Sequence, residues 1–142
     1  MIRRGDVLRI RRTAPRGRRN GCSPGGRPRP GEGMFLCVRR EVVEETGVVV
    51  TLDRCAFVAD VIDPDGARCR AELVFEARVS GDQPVTLSGE RGAEPCWVSL
   101  GDLRGVRLRP PVGGLLPSLV KGMAGTATYL GNLRRPDVVA GQ

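Results

Sequence analysis

Histidine is absent from the 142 residues, and lysine occurs once, at Lys121. Without histidine, a general base has to be a carboxylate or a metal-bound hydroxide. The five cysteines (Cys22, Cys37, Cys55, Cys69, Cys96) are odd in number and contain no CxxC pair. Their spacing argues against a disulfide framework and, with no histidine to help, against zinc. Several stand in apolar runs, where cysteine behaves as a small buried hydrophobe, so the expected compartment is reducing. Aromatic residues are few; Phe35, Phe57 and Phe75 are expected in the core, and Trp97 as an anchor at the end of a strand. No apolar run approaches membrane-spanning length, and the first residues, "MIRRGDVLRIRR", lack the apolar segment of a signal peptide. The expectation is a cytoplasmic protein with no membrane partner.

Nor does the chain show an internal repeat or a linker. At 142 residues it is expected to form one domain, 1–142, with its core over about 6–124 and a weakly patterned tail from 125 to 142. A chain of this size buries about 68–70% of its unfolded surface, so a core can form without covalent staples.

Charge is plentiful but uneven. The net formal charge is +7, carried almost wholly by arginine. Twelve arginines precede Glu41, where the only acids are Asp6 and Glu32. Such a half favours polyanionic partners, nucleotides and pyrophosphates first and nucleic acid as the less favoured class. A genome rich in arginine codons leaves the same pattern, so charge by itself does not decide.

Local pattern suggests the elements. "DVLRIRR" (Asp6–Arg12) alternates as a short strand, whereas Thr13–Gly33, rich in Gly, Pro and Arg, is expected to hold no regular element. A helix from about Met34 to Thr46 should stop at Gly47. Its first half is apolar nearly all round and is expected to pack on a sheet. A hairpin follows, with strands on either side of the Asp63–Gly66 turn, the second being Arg68–Val79. "CWVSLGDLRG" reads as a strand entering a helical turn, and a second helix is expected from roughly 113 to 123. Strands mixed with two helices point to a layered α/β or α+β domain.

One stretch is electrostatically odd. "RREVVEETGVVV" sets Glu41, Glu44 and Glu45 on one helix face, since positions three and four apart are neighbours. The Glu41–Glu45 pair alone should cost the helix a few tenths of a kcal/mol. A hard divalent cation would offset that repulsion, because magnesium favours carboxylate oxygens and accepts few protein ligands.

The wider spacing is specific. Gly26, five residues, Glu32, seven residues, Arg40-Glu41-Val42, one residue, Glu44-Glu45, one residue, Gly47-Val48: this resembles the Nudix box, G-x5-E-x7-R-E-U-x-E-E-x-G-U with U apolar, at all nine specified positions. Chance agreement in one window is on the order of 10⁻⁸ from composition. "VLRIRR", Pro24–Gly26, "ELVFEARV" and "EPCWVSLGDL" extend the resemblance over about Asp6 to Leu119.

The resemblance implies an α/β/α sandwich around a mixed β-sheet. It also implies Mg²⁺- or Mn²⁺-dependent hydrolysis of a nucleoside diphosphate linked to another moiety, a small-molecule substrate. By it, Gly25 (through its carbonyl), Glu32, Glu41, Glu44 and Glu45 are the expected metal ligands. Arg40 is expected to orient Glu44 by an ion pair; Arg11, Arg12 and Gly26 are expected to meet substrate. Glu44, Glu45 and Arg40 are then candidate catalytic residues, joined by a loop glutamate: Glu90 as general base, with Glu94 mainly structural. A homodimer is compatible with all this. The competing reading is a catalytically weak Nudix-fold module that binds nucleic acid or a nucleotide through its arginine-rich N-terminal region. The family's first apolar strand has little room here, because only Met1–Gly5 precede Asp6. Either the start lies too far downstream or the sheet lacks an edge strand.

Overall fold

The computed structural model describes residues 2–3, 6–13, 19–63, 65–79, 81, 83, 93–105, 107–109, 111–112, 116 and 128–133. Among them lie strands β1 (Ile2–Arg3), β2 (Asp6–Thr13) and β3 (Arg19–Cys22), helix α1 (Met34–Thr46), and strands β4 (Val50–Ile62), β5 (Cys69–Val79) and β6 (Ala93–Ser99). A 3₁₀ turn at Asp102–Gly105, strand β7 (Arg107–Arg109) and strand β8 (Thr128–Asn132) follow. The architecture is mixed α/β, as the resemblance implied.

β2 is the axis of the first sheet. Along one edge it pairs antiparallel with β6, from Asp6↔Ser99 to Arg12↔Ala93. Its other edge is shared by β1 (Ile2↔Val7, Arg3↔Asp6) and β3 (Ile10↔Cys22 through Thr13↔Arg19), and β7 joins β3 in parallel. The second sheet has the order β5–β4–β8, antiparallel then parallel. Both sheets are therefore mixed.

β2 feeds two cores. Val7 packs with Ala56, Phe57, Ala59, Leu103, Leu108, Val112 and Leu116; Leu8 packs with Val42, Val48 and Val50. Val7, Leu8, Arg9 and Ile10 are all buried. A strand covered on both faces has no solvent side to show alternation.

Three expectations are corrected. Residues 13–33 do hold an element, since β3 lies within them; "RNGC" has no strand pattern and is ordered by the backbone bonds of β2 and β7. The tail beyond 124 likewise contributes β8, which adds in parallel to β4. Met34, Phe35 and Leu36, expected against a sheet, are 45%, 49% and 60% exposed. Turning 100° per residue, α1 brings only Cys37, Val42 and Thr46 fully onto the core stripe, and its first turn lies outside it. Phe35 instead meets Phe75, ring centroids 5.2 Å apart, so of the three phenylalanines only Phe57 is fully buried.

The space before Asp6 is not empty of strand: Ile2–Arg3 folds back on β2. The helix expected over 113–123 lies outside the described residues except at Leu116, whose N–H donates to the Val112 carbonyl at 2.9 Å. Among the described residues no helix is long and apolar enough to cross a membrane.

Candidate active site

The segment from Pro24 to Val48 builds one site. α1 ends where expected: Gly47 takes φ 70°, a left-handed value open to glycine, and its N–H caps the Val43 carbonyl at 2.9 Å. Thr46 locks the exit, its hydroxyl donating to the Val42 carbonyl at 2.6 Å and accepting from the Val48 N–H at 3.2 Å. The acidic face is thereby fixed in azimuth over the preceding loop.

Arg40 is the hub. Its Nε and Nη2 donate to the two oxygens of Glu32 at 2.8 and 2.9 Å, a bidentate fork. Nη1 reaches Glu41 Oε1 at 2.7 Å and Glu44 Oε2 at 3.0 Å. Thus Glu32, from the loop, and Glu41 and Glu44, from the helix, converge on one guanidinium. Glu45 is held separately, accepting the Gly25 N–H at 2.8 Å.

Gly26 shows why the loop needs glycine. A Cβ built there would lie 2.4–2.6 Å from the carboxylate atoms of Glu41, so that carboxylate rests directly on the Gly26 backbone. Gly25 is needed for another reason: its φ is 149°, which side chains rarely adopt, although nothing lies within 4 Å of a Cβ.

Two participants were not legible in the sequence. Arg29 donates through Nη2 to Glu44 Oε1 at 3.2 Å and through its backbone N–H to Glu32 Oε2 at 2.8 Å. The signal lay in turn chemistry: Pro28, Pro30 and Gly31 fold residues 29–32 into a turn, with the Glu32 N–H on the Arg29 carbonyl at 2.9 Å. Cys37, buried beneath the hub, donates its thiol to the Gly26 carbonyl and accepts from Arg40 Nη2, both at 3.8 Å. Burial pushes that thiol's pKa up.

The remaining predicted residues are placed unequally. Arg11 is exposed and engaged by Glu94, its cross-strand partner, in an ion pair through Nη2. Arg12 lies on β2 opposite Asn20 and Ala93, its side chain outside the described residues. Glu90 also lies outside them.

Charge and hydrogen bonding perturb the hub. The Arg40 fork, then the Arg29 N–H, hold the Glu32 carboxyl at about 2, while the three carboxylates raise Arg40 above its ordinary value. A carboxyl whose folded pKa is depressed stabilises the fold above its unfolded value, about 4.3, and the contribution fades as pH falls towards about 2. Glu32→Gln should therefore lower Tm at neutral pH, with the gap to the parent narrowing between about pH 4.5 and 2. Thermal melts of both proteins across that range check this; a gap independent of pH would contradict it.

The donor set suits a hard divalent cation: carboxylate oxygens with no nitrogen or thiolate intended for a softer metal, and a glycine cradle that seats one carboxylate without a side chain. Among the described residues no three acidic or thiol groups already form a metal cluster. Arginines hold these oxygens in their present arrangement.

Comparison with known proteins agrees with this geometry. A family model described as NUDIX domain matches residues 1–118. A NUDIX hydrolase from Nitrosomonas europaea is similar in structure, with TM-score 0.69 and 20% identity over 84% of this chain and 82% of that one. A MutT protein from Methanosarcina mazei Go1 has TM-score 0.64 and 26% identity over 85% and 87%. A C. elegans Ap4A hydrolase, solved as a binary complex, has TM-score 0.62 and 21% identity over 85% and 89%. A search of curated proteins found no match.

Proposed function

Because this chain belongs to the Nudix family and is a hydrolase of pyrophosphate linkages, we propose that it cleaves a nucleoside diphosphate linked to another moiety, with Mg²⁺ or Mn²⁺ bound. The observation that carries this is the convergence of Glu32, Glu41 and Glu44 on Arg40, with Glu45 on the Gly25 amide and Glu41 seated on Gly26.

In this proposal Glu41, Glu44 and Glu45, with the Gly25 carbonyl, would hold the ion, whereas Glu32, expected from the resemblance as a further ligand, would not. Glu32 has both oxygens on Arg40 and serves by fixing that arginine. Arg40 in turn aims Glu44, and Arg29 steadies the opposite oxygen. When bound, the ion polarises the phosphoryl oxygen and lowers the pKa of water. A carboxylate takes the proton from the attacking water. The side-chain face of Gly26, expected to meet substrate, is covered by the Glu41 carboxylate, so a phosphate would reach this backbone only beside Glu41. Arg12, at the end of β2, would contact a phosphate oxygen; Arg11 does so only by leaving Glu94.

A panel comprising ADP-ribose, an oxidised nucleoside triphosphate, a dinucleoside polyphosphate and a nucleotide sugar, each with Mg²⁺ and with Mn²⁺, tests the proposal. The polyphosphate belongs there because one similar structure is named an Ap4A hydrolase. Metal-dependent release of a nucleoside phosphate from at least one member is expected. Binding that is salt-sensitive, unaccompanied by turnover and retained without Glu44 would favour the binding-module alternative.

The loop glutamates are expected to be unequal. Glu94 is held on β6 by Arg11, whereas Glu90 stands between Gly89 and Gly92 in sequence. Glu90→Gln should lower kcat by about 10²–10⁴-fold, the usual contribution of a positioned base, and Glu94→Gln far less. Single-turnover rates of the two variants decide; a large loss confined to Glu94 would reverse the roles.

A further inference from the structure

Arg9 is a buried cation in an apolar strand. It stands between Leu8 and Ile10 in the middle of β2 and is 3% exposed. Its Nη1 donates to Ser23 Oγ, while its Nε is buried with no acceptor among the described residues. No carboxylate among the described residues pairs with it. Burial pushes its pKa down to about 10, with the Cys22 thiol acting in the opposite direction. Removing a guanidinium from water without a counter-charge is unfavourable, and an apolar side chain of similar length would suit this position better for stability. What Arg9 holds is therefore informative.

Its hydrogen bond ends on the residue that opens the catalytic loop. Ser23 precedes Pro24, whose ring restricts φ and leaves little slack before Gly25. The Gly25 N–H grips Glu45, and Gly26 seats Glu41. Two consecutive glycines would otherwise let this segment drift. Pairing of β3 with β2 and β7 ties the chain to the sheet as far as Cys22. The Ser23 hydroxyl, held by Arg9 from inside the sheet, carries that tether one residue further, to the edge of Pro24.

We propose that Arg9 is a positioning residue for the hydrolysis: through Ser23 it sets Pro24–Gly26 at the height where the Gly25 amide meets Glu45 and Gly26 receives Glu41. The kinetic part rests on the function proposed above; the structural coupling does not. The stability of the strand is traded for the placement of the loop.

Arg9→Met, Ser23→Ala and the double variant test it, with Arg9→Lys as the conservative control. Exchange of the Gly25 amide with solvent, followed by NMR, reads the coupling without reference to activity. Arg9→Met should raise Tm by a few degrees, because a buried cation with no carboxylate partner among the described residues is replaced by an apolar chain. It should nonetheless speed Gly25 exchange and lower kcat by about 10–100-fold with KM little changed, the size expected when catalytic groups shift by about 1 Å. Ser23→Ala should cause the same loss in kcat but lower Tm, since the buried Arg9 guanidinium then loses its Ser23 acceptor. Arg9→Lys should recover part of the rate. The double variant should be no slower than Arg9→Met alone. Unchanged Gly25 exchange in Arg9→Met overturns the proposal, as do kinetic losses that multiply in the double variant. If the parent protein hydrolyses nothing in the nucleotide panel, the functional assignment fails while Gly25 exchange still decides the coupling.

Discussion

Glu44→Gln should reduce metal-dependent hydrolysis to background while leaving Tm within a degree or two of the parent. The carboxylate is half-exposed, so no core packing is lost with its charge. Two effects on the fold oppose each other. Neutralising Glu44 relieves repulsion from Glu41, three residues earlier on the same helix face. It also weakens the bonds from Arg40 Nη1 at 3.0 Å and Arg29 Nη2 at 3.2 Å. The Arg29 pair is open to water on both sides and the Arg40 pair on its Glu44 side, so screening keeps the loss small and neither effect dominates. A cation has no such alternative, because the amide supplies a neutral oxygen where the proposal requires a charged one. Turnover assays with Mg²⁺ and Mn²⁺, beside thermal melts, check both halves. Parent-like turnover would sink the assignment of Glu44, and a large fall in Tm would show that the residue is structural.

Gly26→Ala should lower kcat/KM by about 10²-fold with a small change in stability, and for a different reason. The added methyl would stand 2.4–2.6 Å from the Glu41 carboxylate, well inside contact distance. The obstruction is the mobile end of a glutamate, so the fold relieves it by rotating that side chain rather than by moving backbone. Glu41 then leaves both its glycine seat and Arg40 Nη1, and a displacement of about 1 Å suffices for the predicted loss. Gly25→Ala offers a contrast. No atom opposes its Cβ, but its φ of 149° is strained for alanine, so a loss of stability should accompany any loss of rate. Paired measurements of kcat/KM and Tm on the two variants separate the causes. Unimpaired turnover in Gly26→Ala would mean that Glu41 works from another position.

The sequence alone determined what depends on neighbours a few positions apart. α1 follows from the run after Gly33 and from Gly47, whose left-handed φ ends it. The β4–β5 hairpin follows from a turn-forming segment between two β-rich stretches. The Glu41, Glu44, Glu45 face and the Arg40–Glu44 pair follow from helical geometry, in which residues three and four apart touch. The acidic half of the site was legible for this reason: it is folded from one short local segment.

Tertiary structure decided whatever depends on which strands meet and in which register. Arg11 read as a free phosphate ligand, but pairing β2 with β6 sets Glu94 directly opposite it. "RNGC" and "TYLGN" become strands only because β2, β7 and β4 supply their hydrogen bonds. Nothing in the sequence sets Arg9 apart from the other arginines before Glu41; covering both faces of β2 buries it beside Ser23. A hydrophobic or charged pattern records the preference of a residue for water or core, whereas its partner is set by backbone pairing between segments distant in the chain. Only the folded sheet contains that information.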